Sequence, residues 1–270
     1  MTLVKQDLDS HVALITLNNS EQGNVLNQKS LQAIIQTLGS SIQNRDSRVI
    51  VLRSNGDQFC LGMDLSFLQS LDQSTEENRK KADETVSLYV DLLSLIHFSA
   101  KPVICVVKGE VKAGGVGLVA ACDVVLASEK STFELSEVFF GLIPANVIPF
   151  LLSVRMSPQK IKYLVLTAKK LLAEKARDIG LVDEVFSETE MEKGIKSIIK
   201  KLLRASPEAL KETKEFINRL SREDIKEASK TAKETLLRLI RNKNVIQAIK
   251  DFNEGNTPVW FEKYRPAKPI

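Results

Sequence analysis

The chain is poor in the residues that build metal sites and disulfides: 270 residues contain three cysteines (Cys60, Cys105, Cys122) and two histidines (His11, His97). No CxxC pair or Cys/His cluster occurs, which excludes a disulfide framework, leaves no zinc-type ligand set and predicts reduced thiols. His97 sits just past a helical stripe, where a packing role suffices for it. Gly-x-Ser-x-Gly is absent as well, so an activated serine for acyl transfer has nothing to anchor it. Long apolar runs are also lacking. The longest uncharged stretch, Val138 to Val154, contains Gly141, Pro144, Asn146 and Pro149, too short and too broken for a membrane span and better suited to line an apolar pocket or pack in the core. Asp7 and Asp9 interrupt the first apolar positions, so no signal-peptide core forms; the expectation is no export, no membrane and a cytoplasmic setting.

What is present is an ordinary globular balance of 43% hydrophobic and 27% charged residues, enough to bury one large core without staples. The net charge of +4 is unevenly placed. Residues 191–270 carry 19 Lys/Arg against 11 Asp/Glu, leaving 19 against 23 for residues 1–190, so the basic excess lies wholly in the C-terminal part. Solvated helix faces account for such a pattern; attraction to an acidic or phosphate-bearing partner is the functional alternative.

Short β-branched runs at His11–Leu17, Val49–Arg53, Val103–Val107 and Val124–Ala127 read as buried strands. Between the first two, Leu31, Ile34, Ile35, Leu38 and Ile42 recur at helical spacing. Between the second and third, Ser74 and Glu77 form a capping-box signal ahead of a stripe through Val86, Tyr89, Val90, Leu93 and Ile96. From Leu164 the chain reads as helix, with Gly180 as a stop before a strand-like LVDEVF. After Ser206-Pro207 helical spacing resumes through Leu210, Phe216, Ile217 and Leu220, and again from Ala228 through Ala232, Leu236, Leu239 and Ile240. No sequence repeat or low-complexity segment is found.

Gly114, Gly115 and Gly117 follow the third strand. AGGVG lacks the spacing of a dinucleotide fingerprint and comes too late in the chain for one. Adjacent glycines at a helix start do expose main-chain N–H groups beside the positive end of a helix dipole, where a developing oxyanion is stabilised. FCLGMD, after the Val49–Arg53 strand and a polar turn, presents a second such set. Downstream, FELSE puts Glu134 and Glu137 directly before the apolar stretch, where desolvation raises a carboxyl pKa toward the range useful for proton transfer; an exposed helix-start position is the alternative for either glutamate.

Taken together, FCLGMDL, KPVICVVKGEVKAGGVGLVAACDVVLAS, FELSEVFFGLIPANVIPFLL and AEKARDIGLVDEV resemble, in this order, the enoyl-CoA hydratase/isomerase (crotonase) superfamily over roughly residues 10–186. The resemblance implies an α/β fold, a spiral of ββα turns over residues 1–200, with a helical C-terminal trimerisation region over residues 201–270 that builds homotrimers or hexamers. It also implies a thioester substrate carried on coenzyme A or on the phosphopantetheine of an acyl-carrier protein, with no other cofactor and no metal. The catalytic residues it implies are Met63 and Gly114, whose N–H groups would hold the thioester oxygen, and Glu137. Gly62, Asp64, Gly115 and Gly117 would lie around the substrate, with Lys112 and Asn146 as candidates for a distal substrate carboxylate.

Hydratases of this family carry two glutamates; here Gly117 stands at the first position and Glu137 at the second. Fatty-acid hydration is thereby disfavoured, whereas syn elimination of water or C2-to-C4 proton transfer needs one carboxylate. With this glycine, and with a proline-rich segment lacking the usual glycine pair, the chain looks most like the dehydratases of polyketide β-branching. Those convert 3-hydroxy-3-methylglutaryl on an acyl-carrier protein to 3-methylglutaconyl. The alternatives are a single-glutamate enoyl-CoA isomerase or hydratase and, outside enzymology, an RNA-binding crotonase-like scaffold. The tail argues against nucleic acid, because it interleaves acids with its bases and offers no aromatic stacking array.

Overall fold

The computed structural model describes residues 2–64, 75–140, 142–220, 243, 244, 247, 251, 254–263, 265 and 266. Two sheets organise these residues. The larger takes β1 (Val4–Asp9), β2 (Val12–Leu17), β3 (Val49–Ser54), β5 (Val103–Val107), β7 (Val124–Ser128) and β10 (Glu184–Phe186) in that spatial order. The smaller takes β4 (Gln58–Cys60), β6 (Glu110–Lys112), β8 (Thr132–Glu134) and β9 (Leu171–Leu172). The β1/β2 hairpin and the β8/β9 pair are antiparallel, and the remaining pairings are parallel.

The chain alternates between the sheets. β3 enters the large sheet, β4 the small one, and α2 (Glu76–His97) follows; β5, β6 and α3 (Gly114–Ala121) repeat the step, and β7 and β8 begin a third. This is a ββα spiral. The four β-branched runs are its large-sheet strands, and β2, β5 and most of β3 and β7 are buried on both faces, as near-continuous apolar sequence requires. The small-sheet strands β4, β6 and β8 are three residues each, too short for an alternation pattern to register.

Helix α1 (Gln28–Gln43) is closed at its start by a reciprocal cap: Asn27 Oδ1 accepts from Ser30 N at 3.0 Å and Ser30 Oγ accepts from Asn27 N at 2.9 Å. Its stripe buries Leu31, Ile34 and Leu38, each side chain contributing roughly 1.5–3 kcal/mol of apolar transfer. In α2 the expectation needs correction. Thr75 is the cap, accepting from Asn78 N at 3.2 Å, whereas Ser74 lies outside the described residues. The buried stripe runs through Tyr89, Leu92, Leu93 and Ile96; Val86 and Val90 are exposed, because the face turned to the core is centred away from them.

The helix expected from Leu164 is in fact divided. α5 (Pro158–Thr167) ends at Ala168 in the left-handed region (φ 46°), then β9 pairs with β8, and the short α6 (Ala173–Asp178) stops at Gly180 (φ 90°). α7 (Met191–Arg204) lays Met191, Ile195, Ile199 and Leu203 against the outer face of the large sheet and turns Lys193, Lys200 and Lys201 to solvent. α8 (Pro207–Leu220) carries the expected Leu210, Phe216, Ile217 and Leu220, and none of its residues is buried in the single chain. Residues 228–240 fall outside the described set. Among the described residues no helix is long and apolar enough to cross a membrane.

One clamp sets where the segment after β8 returns to the sheet. Arg155, with 5% of its side chain exposed at the end of α4 (Ile148–Val154), donates from Nη1 to both carboxylate oxygens of Asp183 at 3.0 and 2.9 Å and from Nη2 to Cys122 O. Asp183 Oδ2 also accepts Val125 N at 2.6 Å, so α4, β7 and the approach to β10 share one ion pair. Asp183→Ala would leave a buried guanidinium without its carboxylate. Only the guanidinium is buried, since the Asp183 carboxylate is 41% exposed and partly screened by solvent, so we expect a loss of about 1–2 kcal/mol in unfolding free energy, read as a lower urea midpoint at unchanged m-value.

Candidate active site

Two close approaches of backbone bring the end of β4 to the start of α3. A Cβ at Gly115 would lie 2.3 Å from the Cys60 carbonyl oxygen, so only glycine lets the first turn of α3 press on β4. Gly62, at φ 88°, makes the second approach, to the turn between β6 and α3: a Cβ there would meet Ala113 Cβ at 2.9 Å and Gly114 N at 3.0 Å. The Gly62–Met63 peptide is thereby set beside the Gly114 amide.

The direction of these amides follows from their bonding. Met63 forms an isolated parallel bridge with Leu26, in which Leu26 N donates to Gly62 O at 2.8 Å and Asp64 N donates to Leu26 O at 2.9 Å. The residues flanking Met63 make those bonds, which leaves its own N–H on the opposite side, and Met63 lines the neighbouring cavity. Gly114 is the first residue of α3, where an N–H has no partner within the helix. Before it, Ala113 adopts φ 47°, ψ −120°, a conformation that costs an L-residue of order 1–3 kcal/mol and that clusters at functional sites. It is held there by Ala113 N donating to Glu134 O at 2.8 Å.

The cavity has a volume of about 860 Å³ and a mainly apolar lining, ample for an acyl chain with part of its carrier arm. Met63, Asp64, Lys112, Gly114, Glu137 and Asn146 all line it, bringing together residues from four separate segments. Gly62, Gly115 and Gly117 do not. At each of the three the absence of a side chain permits the close packing around the cavity.

Glu137 opens a 3-10 turn (Glu137–Phe140) between β8 and the apolar segment. Its Oε2 is buried and has no hydrogen-bond partner among the described residues. Burial pushes its carboxyl above the usual glutamate range, opposed by a hydrogen bond from its own main-chain N–H. Glu134 also lines the cavity, at the end of β8 opposite Lys112 in the sheet register. Lys112 Nζ lies 3.6 Å from Glu110, whose other oxygen is held by Lys170 at 2.5 Å. The hydrogen bond from Lys170 is the main reason the Glu110 carboxyl stays below its ordinary range. Cys60, fully buried behind the wall, has its thiol pushed up to about 12 by desolvation and is no nucleophile. His97 packs its ring edge-on with Phe98 and Phe150, away from the cavity, as expected of a packing residue.

One lining residue went unrecognised as part of the site. Tyr89, expected only as part of a helix stripe, sits 4% exposed on the cavity wall and donates from its hydroxyl to Gly114 O at 2.6 Å. A Cβ at Gly117 would lie 2.1 Å from that hydroxyl oxygen. Nothing in the local pattern around Tyr89 separates it from the other stripe residues; only the glycine at 117 hints that some other group fills its space.

The fold and site define an α/β protein of the crotonase architecture. The sequence matches the enoyl-CoA hydratase/isomerase family over residues 7–263, and the chain belongs to that family. It is 30% identical over 217 residues to the bacillaene synthase dehydratase PksH of Bacillus subtilis, covering 80% of this chain and 81% of that one. It is 31% identical to enoyl-CoA hydratase domain-containing protein 3 of Danio rerio, covering 96% and 87%. The crystal structure of an enoyl-CoA hydratase from Mycobacterium smegmatis superposes with a TM-score of 0.87 at 25% identity, covering 96% of this chain and 99% of that one. The chain is thus an enzyme of the hydro-lyase kind, with hydratase/dehydratase chemistry on the family's fold.

Gly62→Ala strains a left-handed residue and drives a Cβ between the two amides. We expect exchange of the C2 hydrogen of an acyl thioester in D2O to fall at least about a hundredfold, the scale for losing one oxyanion donor. Mass spectrometry of the recovered thioester reads the effect, and exchange at the wild-type rate would show that the amides do not act together.

Proposed function

We propose that the protein dehydrates 3-hydroxy-3-methylglutaryl thioester, carried on an acyl-carrier protein, to the 3-methylglutaconyl thioester of polyketide β-branching. The observation that carries this reading is Glu137, a desolvated carboxylate whose Oε2 has no hydrogen-bond partner among the described residues, in a cavity that Met63 and Gly114 also line, with glycine where a second acid would stand. The similarity to the bacillaene synthase dehydratase of Bacillus subtilis supports it.

In this mechanism the thioester oxygen accepts from Met63 N–H and Gly114 N–H. The Glu137 carboxylate removes the C2 proton, and the electron pair moves onto the thioester oxygen as an enolate that the two amides stabilise. The enolate collapses to the C2=C3 double bond as the C3–O bond breaks, and Glu137 returns its proton to the leaving hydroxyl, which departs as water. The carboxylate ends as it began. Burial suits Glu137 to both halves, because a raised pKa makes a stronger base of the ionised form while keeping the proton transferable. In this reading Lys112 and Asn146, which line the cavity, receive the distal carboxylate of such a substrate.

The solvent-facing lysines of α7 suit an acidic carrier domain, and the uncovered α8 suits burial between copies in a trimer or hexamer; both belong to this reading, as does a cytoplasmic location. The same carboxylate and amides would also move an isolated 3-alkene into conjugation, so isomerisation is the competing chemistry.

Glu137→Gln should lower kcat for dehydration at least about a hundredfold, measured by loss of water from the 3-hydroxy-3-methylglutaryl thioester on holo carrier protein and on coenzyme A. In the wild type, kcat/KM should fall with decreasing pH as Glu137 takes up a proton, along a limb lying above the ordinary glutamate pKa because burial raises it. An undiminished rate in Glu137→Gln, or a wild type that shifts 3-alkenes and leaves the hydroxy thioester intact, would sink the reading.

A further inference from the structure

Gly117 is the position that makes this chain unlike a two-carboxylate hydratase, and the space there is not empty. A Cβ at 117 would lie 2.1 Å from Tyr89 Oη, 3.1 Å from Val147 Cγ2 and 3.2 Å from Tyr89 Cζ. The phenol oxygen stands where a side chain at 117 would begin, and it does so from another helix, α2. Tyr89 also lines the cavity that Met63, Gly114 and Glu137 line.

The hydroxyl is fixed in orientation. It donates to Gly114 O at 2.6 Å, which commits its one proton and leaves its lone pairs free to accept. Burial, reinforced by the charge of Glu137, pushes the phenol well above its usual range, so the oxygen remains a neutral hydroxyl. Its proton is therefore unsuited to shuttling, and what it offers a ligand is acceptance of one hydrogen bond. A ligand group that matches is a hydroxyl bound to carbon. A carbonyl or an alkene at the same place would leave the acceptor unmet, which costs affinity when it is desolvated.

We infer that Tyr89 Oη receives the C3 hydroxyl of the bound 3-hydroxyacyl thioester and holds its oxygen for protonation by Glu137, so that Tyr89 selects substrates carrying a hydroxyl at C3. This rests on the dehydratase reading above and adds the residue that reads the leaving group. The proton balance is unchanged: Glu137 takes the C2 proton and gives it to the departing oxygen, and Tyr89 keeps its own proton throughout. The placement also accounts for glycine at 117, since any side chain there displaces the phenol, and for Tyr89 on α2, whose register aims it at the first turn of α3.

The test is Tyr89→Phe in the full chain, with two thioesters. Dehydration of the 3-hydroxy-3-methylglutaryl thioester is measured beside exchange of the C2 hydrogen of the 3-methylglutaryl thioester in D2O. The second compound lacks the hydroxyl and needs only Glu137 and the two amides. Dehydration should fall at least about tenfold, about 1.4 kcal/mol of transition-state stabilisation, while exchange stays within about twofold of wild type. A companion variant, Tyr89→Phe with Gly117→Ser, returns a hydroxyl from the other side of the same space and should recover part of the lost dehydration. Dehydration by Tyr89→Phe at the wild-type rate would overturn the inference. So would a parallel fall of exchange and dehydration, because Tyr89 would then be bracing the Gly114 turn. A wild type that exchanges the C2 hydrogen of the deoxy thioester yet does not dehydrate the hydroxy one would refute the dehydratase reading itself, and the wild-type control separates that result from the failure of Tyr89 alone.

Discussion

The rest of the site depends on one steric constraint, the contact of the first turn of α3 with the carbonyl of Cys60. A Cβ at Gly115 would come within 2.3 Å of that oxygen, and one at Gly62 within 3.0 Å of Gly114 N. Main-chain groups from separate strand–helix connections can converge on one point only if side chains stay out of the space between them. The ββα spiral supplies the coarse alignment, because β4 and β6 are neighbours in the small sheet and both end at the cavity. The glycines remove the last few ångströms.

That alignment is held against opposing costs. Ala113 sits in a conformation suited to glycine, and Glu137 keeps a carboxylate oxygen without a partner among the described residues. Each is locally unfavourable, and each lies between rigid elements: Ala113 between β6 and α3, Glu137 between β8 and the segment leading to α4. The Arg155–Asp183 clamp fixes the far end of that segment to β7 and β10. Strain and desolvation concentrate around the cavity, and the buried sheet beside them supplies the stability.

The large sheet was legible because each of its central strands is buried on both faces, which leaves a run of β-branched residues that no other element explains. The small sheet was not, since three residues such as Glu110–Lys112 carry no period. The break of the helix after Leu164 escaped for a related reason: Ala168 is a good helix former, and only the pairing of Leu171 and Leu172 with β8 forces the chain out of the helix. At the site, local pattern offered two sets of exposed main-chain N–H groups and two glutamates before an apolar run; it was the resemblance to the crotonase superfamily that singled out Met63, Gly114 and Glu137, which line one cavity. Neither singled out Tyr89. Its meaning comes from Gly117, 28 positions away in sequence, and only the packing of α2 on α3 brings the two together.

The pairing of Tyr89 with Gly117 also limits how the site can change. A glutamate at 117 has to pass its Cβ through the space the phenol oxygen occupies, and Val147 closes the adjoining side at 3.1 Å. α2 cannot easily retreat, since Leu92, Leu93 and Ile96 are buried in the same core. Adding the second acid therefore demands a smaller residue at 89, which at the same stroke removes the hydroxyl acceptor. A phenol from position 89 and a carboxylate from position 117 are alternative fillings of a single volume, and the choice between them is made by which helix, α2 or α3, sends a side chain into it.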